Sequence, residues 1–481
     1  MTRNFLPIAL LATGAMMMAS CLSDDDDITN ITYYNDTAIT SFSLGTLTRT
    51  YLCNNGDTIR KTYDQATDST TTVDASTYTF TIDQLKHEIY NTDSLPAGTD
   101  VSKAVCNVAS KNSGIITVRR IDSDTLDFYS STDSLDLTKP REFRVYSSDG
   151  TTYRKYTVSL RVHKELADSF VWNSQNIGEA SITAGAKGTR LVSNGDKIFA
   201  VISGSSSSAF FSKSISANGG WTALGSNINR TFSAEAYKNV AALNGWIYLL
   251  DGGELLKSKD AENWQLVETG SAQLKQLVGA SGNNLYALTA EGMASSADGT
   301  VWTEAKLDGN SSKLPQGRVS LCTLPLKTNA DDARIVMAGN ANGTDSTAVV
   351  WGKIEENGTT ADAYSWSLYE GGEKYLLPDM EGITMIRYDG KLLAIGGKGL
   401  GGSSAQPYAR LYESTDQGLT WHASSLFSLP ADFNRNAEAC AVDMATDDDN
   451  NVWLIDAKAG KTWKMRINRL GWKEEKKAFN E

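Results

Sequence analysis

The sequence is short of histidine, proline and positive charge, and each shortage closes off a class of function. Its three His (His87, His163 and His422) lie far apart, and its five Cys include no Cys-x-x-Cys pair. A zinc site or a Cys–His nucleophile therefore has almost no material, and no metal or other cofactor is expected. Lys and Arg number 45 against 57 Asp and Glu, a formal net charge of -12, and no basic run appears. That balance excludes general nucleic-acid binding, which needs cations to displace the counterions of phosphate. Apart from an N-terminal stretch, no long apolar run occurs, and that stretch falls short of the roughly 20 residues of a membrane-spanning helix. Against these absences stand 40 Gly, only 8 Pro and 41% hydrophobic residues in 481 positions. Such a chain can bury substantial cores. Its length favours two domains, and its excess of Gly over Pro favours turn-rich β-structure over disorder.

The N-terminal stretch follows Arg3 and reads "FLPIALLATGAMMMAS" (Phe5–Ser20), ending in "MASC" (Met18–Cys21). It resembles the bacterial lipobox, in which a small residue precedes a Cys that is lipidated and becomes the new N-terminus. Residues 1–20 are read as a lipoprotein signal peptide and Cys21 as the lipidated residue. Residues 21–29 form a tether whose "LSDDDD" (Leu22–Asp27) stays extended by mutual repulsion. An acidic cluster in this place resembles the signal that exports Bacteroidota lipoproteins to the cell surface. The resemblance implies a lipid anchor in the outer membrane, with display at the cell surface. Retention on the periplasmic side is the alternative.

Residues 30–164 read as strands. "AITSFSLG", "TYTFTID", "GIITVRRI" and "REFRVYSS" alternate apolar and polar residues between turn clusters, the pattern of a β-sandwich. Within "REFRVYSSDGTTYRKYTVSLRV" (Arg141–Val162) the Asp-Gly pair supplies the positive φ of a hairpin turn. With "SLPAGTDVSKAV" (Ser94–Val105), this stretch resembles the Ig-like or cadherin-like sandwiches that open many Bacteroidota surface lipoproteins, where they serve as stalks. Cys53 and Cys106 share the region and are candidates for a disulfide. Five Asp-Ser/Thr-aliphatic triplets place Thr37, Thr58, Ser94, Thr125 and Ser134 where they resemble the O-glycosylation sequon of Bacteroidota extracytoplasmic proteins. The same residues equally suit turns flanking strands.

The texture changes over 168–481. "GDKIFAVIS", "NGWIYLLDG", "GNNLYALTA", "DARIVMAGN", "DGKLLAIGG" and "NNVWLIDAK" are six versions of one element, a turn followed by an apolar strand. Each precedes a Trp: Trp221, Trp264, Trp302, Trp366, Trp421 and Trp472. A spacing of roughly 40 to 60 residues is that of a four-stranded propeller blade. "STDQGLTW" (Ser414–Trp421) resembles the Asp-box, S-x-D-x-G-x-T-W, of sialidases, sortilin-type receptors and related propellers. Ser414, Asp416, Gly418 and Trp421 take its positions, and degenerate copies place Ser258, Asp260 and Trp264, then Ser296, Asp298 and Trp302. The resemblance implies hairpins at the outer rim, with structural roles: hydroxyl and carboxylate bond turn amides, Gly adopts positive φ and Trp packs across. Either "SFVWNSQ" (Ser169–Gln175) or "GWKEEKKAF" (Gly471–Phe479) completes the last blade. Cys322 and Cys440 read as buried thiols in apolar strands. The expected fold is all-β: an N-terminal Ig-like β-sandwich plus a C-terminal six-bladed β-propeller.

At the openings of the innermost strands Arg190, Lys238, Arg318 and Arg435 are candidate ligand-binding cations, and Glu381 and Glu438 candidate acids. The Arg-Ile-Pro signature of sialidase propellers is absent, and no catalytic residue is assigned. Three functions stay open. A cationic mouth on an acidic protein suits recognition of an anionic glycan, or of a protein, without catalysis. Carboxylates from two blades would suit glycoside hydrolysis by a polysaccharide-acting or sialidase-like enzyme. A broad apolar face would suit docking to an outer-membrane protein partner. The layout as a whole, with "DTAITSFSLGTL" (Asp36–Leu47), resembles a Bacteroidota lipoprotein family whose N-terminal domain has no known function. That resemblance lends architecture and location, with non-catalytic binding as the favoured reading.

Overall fold

The computed structural model describes residues 33–52, 68–216, 219–225, 227, 231–326, 328–329, 331–356, 364–370 and 374–472. The apolar leader, Cys21, the acidic tether, Cys53 and Thr58 lie outside them. Two compact units separate at His163 and Lys164.

The first unit pairs Phe80–Asp83, Glu88–Asn91, Tyr153–Ser159, Arg141–Tyr146, Ile116–Arg119 and Leu126–Phe128, in that order, as a six-stranded sheet. Ile39–Leu44, Ala104–Ser110 and Ser134–Leu135 form a separate three-stranded sheet. Both sheets feed one core, with Ile39, Phe42 and Leu44 meeting Phe143, Val145, Tyr156 and Val158. Strict alternation of burial along Arg141–Tyr146 is what the two-residue period of a half-buried strand dictates. The hairpin to Tyr153–Ser159 turns at Gly150 (φ 70), where the Ser147 hydroxyl donates to Asp149 Oδ1 at 2.5 Å. Cys106 is a free, buried thiol in this structure, pushed up to about 12 by burial. Of the glycosylation candidates, Thr125 and Ser134 are exposed and Ser94 is half-buried. Thr37 is only 4% exposed, so the folded unit withholds its hydroxyl.

The second unit is a ring of six sheets. The innermost strands of blades 1 to 6 are Gly188–Asn194, Val240–Leu243, Leu274–Ala280, Gln316–Pro325, Thr384–Tyr388 and Val442–Thr446. The six apolar elements are the second strands: Lys197–Ser203, Trp246–Asp251, Leu285–Thr289, Ala333–Asn340, Lys391–Ile395 and Val452–Asp456. They read as continuous apolar runs because both faces are covered. In blade 1, Ile198, Ala200 and Ile202 pack toward blade 6, while Phe199 and Val201 pack toward blade 2. One apolar core fills each junction between neighbouring blades.

Closure comes from the N-terminal side. Asn173–Asn176 pairs with Lys461–Met465 as the outer strand of blade 6. The sixth Trp of the repeat is therefore Trp172, directly before that strand, and not Trp472, which caps a short turn after Asn468–Gly471. Trp172 packs against the core between blades 5 and 6 and donates from Nε1 to Ser428 O at 2.9 Å.

The three Asp-box hairpins link third and fourth strands of their blades and share one bonding scheme. Gly418 N donates to Ser414 Oγ at 2.8 Å, Thr420 N to Asp416 Oδ1 at 2.9 Å, and Trp421 Nε1 to Gly418 O at 3.0 Å. Ser296, Asp298 and Trp302 repeat it, with Trp302 Nε1 2.8 Å from Gly299 O. At Ser258, Asp260 and Trp264 the glycine position holds Ala261 at φ 58, whose carbonyl still accepts from Trp264 Nε1 at 3.0 Å. All three carboxyls lie below their ordinary range. Burial opposes ionisation of Asp416 and Asp260, but hydrogen bonds outweigh it, from Thr420 and Ser414 to the first and from Asn263, Glu262 and Ser258 to the second. The Thr300 hydroxyl and amide dominate at Asp298.

Two predictions follow from closure and from the hairpins. Trp172→Ala is expected to cost roughly 3 kcal/mol, the low end for a large buried aromatic, and Trp472→Ala distinctly less, in urea unfolding. For the hairpin carboxyls the folded value lies below the unfolded value of about 3.9. Their stabilisation is thus complete above that value and lost as pH falls through the folded value. The urea midpoint should drop below about pH 4, with a shallower fall in Asp416→Asn; an unchanged slope would remove these hairpins as the cause.

Candidate functional site

Six inner strands run around one axis, and each presents an edge with no further strand to pair with. Side chains from other blades occupy several of these edge groups. Asp443 of blade 6 accepts from Leu191 N of blade 1 at 2.7 Å and from Thr384 Oγ1 of blade 5 at 2.5 Å. It also forms an ion pair with Arg318 of blade 4, both side chains being 1% exposed. Arg318 Nη1 donates to Val442 O at 2.6 Å, Arg190 Nη2 to Val319 O at 2.8 Å, and Met385 N to Ser320 Oγ at 3.2 Å. One carboxylate thus joins four blades.

Two guanidiniums share that carboxylate. Arg318 Nη2 faces Asp443 through proximity of charge, without an aligned hydrogen bond, and the Nε atoms of Arg318 and Arg190 are buried without acceptors. Burial, followed by repulsion from Arg318, pulls Arg190 down to about 10, with Asp443 opposing. It remains a cation at neutral pH, so among the described residues two guanidiniums at the axis face the single carboxylate of Asp443.

Arg190 lines a cavity of about 880 Å³ that runs along all six inner strands to the turns at Tyr388–Gly390 and Asp447–Asn450. Exposed Arg387, Gly390, Asp448 and Asn450 rim that end. At the opposite end of the strands two short 3-10 turns, Ala236–Asn239 and Ala439–Ala441, fill the axis. Tyr237 lies against Gly188, where an added Cβ would sit 2.3 Å from the ring. Tyr237 and Tyr408 are 5% and 1% exposed, and burial raises both phenols above their ordinary range. The cavity carboxylates are mostly engaged. Arg469 chelates Asp389, while Asp447 accepts from Trp453 Nε1 at 2.7 Å and Asn451 Nδ2 at 2.9 Å.

The structure brings together two of the expected site residues, Arg190 and Arg318, and gives them different roles. Arg318 is buried with Asp443 and Val442 in what acts as a latch at the axis, and it does not line the cavity. Lys238 pairs with Glu235 and lies 5.8 Å from the Tyr237 ring centre. Arg435 donates to Tyr408 O. Glu381 pairs with Lys398 at 3.8 Å and Glu438 with Lys458 at 3.4 Å, and neither acid lines the cavity. Cys322 is a buried strand thiol, pushed up to about 12 by burial. Cys440 instead sits half-buried in a 3-10 turn, against the strand placement expected for it. Sequence reasoning missed Asp443, although a lone Asp inside the apolar "ACAVDMAT" run signals a buried charge in need of partners. Among the described residues no group of His, Cys, Asp and Glu is arranged to hold a metal ion.

Asp443→Ala leaves buried Arg318 and half-buried Arg190 unmatched and is expected to cost about 3–5 kcal/mol in urea unfolding. The double variant Arg318→Met, Asp443→Leu should recover part of that loss, because it removes the buried pair and its desolvation cost, while Leu191 N and Arg190 still lack the carboxylate.

The geometry defines a β-protein of two units, the second a six-bladed propeller closed by its own leading strand. Residues 166–475 match the family described as the DUF6242 beta propeller domain, and residues 42–160 match the DUF6242 N-terminal domain of unknown function. The chain belongs to this family. No curated protein matches it. Among solved structures, "Structure of YjhT" aligns at 11% identity and TM-score 0.39, covering 58% of this chain and 93% of that one. An alpha-L-arabinanase of Penicillium chrysogenum, complexed with arabinobiose, aligns at 9% and 0.40, covering 62% and 98%. Trypanosoma rangeli sialidase aligns at 12% and 0.35, covering 67% and 57%.

Proposed function

We propose that the protein is a lipid-anchored, non-catalytic binding module of the outer membrane, displayed at the cell surface, whose propeller recognises a glycan or a protein. The observation that carries this reading is the axial cavity: a volume suited to a ligand, a cation without a matching acid, and carboxylates mostly tied to other groups. Glycoside hydrolysis needs two carboxyl groups free to act as acid and as base or nucleophile. Glu381 and Glu438, the candidate acids of the ligand-binding set, do not line the cavity, and each has a lysine beside it. The anchor rests on the sequence, an apolar leader ending at Cys21 before an acidic run.

The mature chain carrying Cys21→Ser, applied to an array of neutral, sialylated, sulphated and uronic-acid glycans, tests recognition. Retention of one glycan class without release of reducing ends is the expected outcome. Turnover would overturn the non-catalytic reading, and silence would remove glycans in favour of a protein partner. Labelled palmitate should enter the wild-type chain and not Cys21→Ser.

A further inference from the structure

Building on the binding-module reading, we infer that the axial cavity seats the acidic end of a sugar: a carboxylate or sulphate on Arg190, entering past the Asp447–Asn450 turn. Entry from that side follows from the packing. Tyr237, Tyr408 and Ala439 are buried at the other end, whereas Asp448 and Asn450 are exposed at this one. The charge follows from the latch, where two guanidiniums face one carboxylate and two Nε atoms lack acceptors. A buried cation without a counter-charge is costly. An incoming oxyanion supplies the missing charge through the strongest class of hydrogen bond.

The body of the ligand is set by the walls. Ala242, Gly279 and Ala280 keep bulk off one side, and Thr323 and Thr446 bring hydroxyl-bearing side chains to the lining. Among the described residues Tyr388, at the wide end, is the one aromatic residue lining the cavity, so a polyhydroxylated body fits better than an aromatic or lipid one. A volume of about 880 Å³ lies within the roughly 300–1,000 Å³ of small-molecule sites, enough for a short oligosaccharide end. At the wide end Arg387 stands with Asp447 and Asp448, so that end carries both signs of charge, and Arg190 is the cation met deeper in.

The probes are a uronic-acid disaccharide, a sulphated disaccharide and the neutral disaccharide in which the carboxylate is reduced to an alcohol. Each is titrated calorimetrically into the mature Cys21→Ser chain at low ionic strength. At least one acidic probe is expected to bind, the two acidic arms separating carboxylate from sulphate, with the neutral one at least tenfold weaker. Arg190→Met should weaken binding roughly ten- to hundredfold, the loss of a charged hydrogen-bond partner. Thr446→Phe narrows the wide end, leaves the latch untouched, and should also weaken binding. If Arg190→Met fails to fold, judged by near-ultraviolet circular dichroism, Thr446→Phe decides the matter. Failure of both acidic probes to bind, equal binding of the neutral one, or indifference to these variants would overturn the inference. Array binding that persists in both variants would sink this site and leave the binding-module reading intact. Silence on the array and in calorimetry together would sink this site and remove glycans from the binding-module reading, leaving a protein as its partner.

Discussion

A ring of blades brings six strand edges to one axis and gives none of them a strand to pair with. Backbone groups at such edges need partners as much as those in a core do. In this protein, side chains reaching across the ring meet part of that need, and Asp443 accepts from Leu191 N while also holding the Thr384 hydroxyl and Arg318. The apolar cores between blades supply most of the cohesion, but packing alone tolerates small slips between neighbours. A carboxylate bonded to three other blades does not. A buried ion pair adds little net stability over well-packed apolar groups; here it ties the relative height of four blades to one atom group. The cavity inherits its charge from this arrangement, because the second guanidinium, Arg190, sits beside the first.

Much of the ring was legible in the sequence, for a physical reason. Second strands are covered on both faces, so they appear as uninterrupted apolar runs, and hairpins with a fixed hydrogen-bonding scheme keep Ser, Asp and Trp at fixed spacing. The sixth Trp was misplaced because the repeat changes phase at closure. Counting forward from the last apolar strand leads to Trp472, but blade 6 takes its outer strand, and Trp172, from the start of the ring. Periodicity along a chain carries no record of where a circle is joined.

The site was less legible. Residue type and position marked Arg190 and Arg318 equally, since both stand third in an inner strand. What separates them is the carboxylate opposite, brought there by a strand more than a hundred residues away. The open end of the cavity was hidden too. Two turns, Ala236–Asn239 and Ala439–Ala441, decide it through buried Tyr237 and Ala439, and their sequences show no periodicity to read. Glu381 and Glu438 were plausible acids by position, yet each has a lysine beside it that only the folded loops bring near.

Closure by the leading strand also sets an order of events. Asn173–Asn176 is synthesised before every blade, yet its partner, Lys461–Met465, comes almost last. Through all that time it is an unpaired edge. Its four residues are Asn, Ser, Gln and Asn, too short and too polar to present the apolar face from which strands aggregate. The neighbouring Trp172 and Phe170 bury only when the circle closes. The strand that waits is thus itself polar, whereas Phe170, Trp172 and the apolar faces of blades 5 and 1 stay uncovered until blade 6 arrives, so a ring interrupted there is left with its apolar sides open.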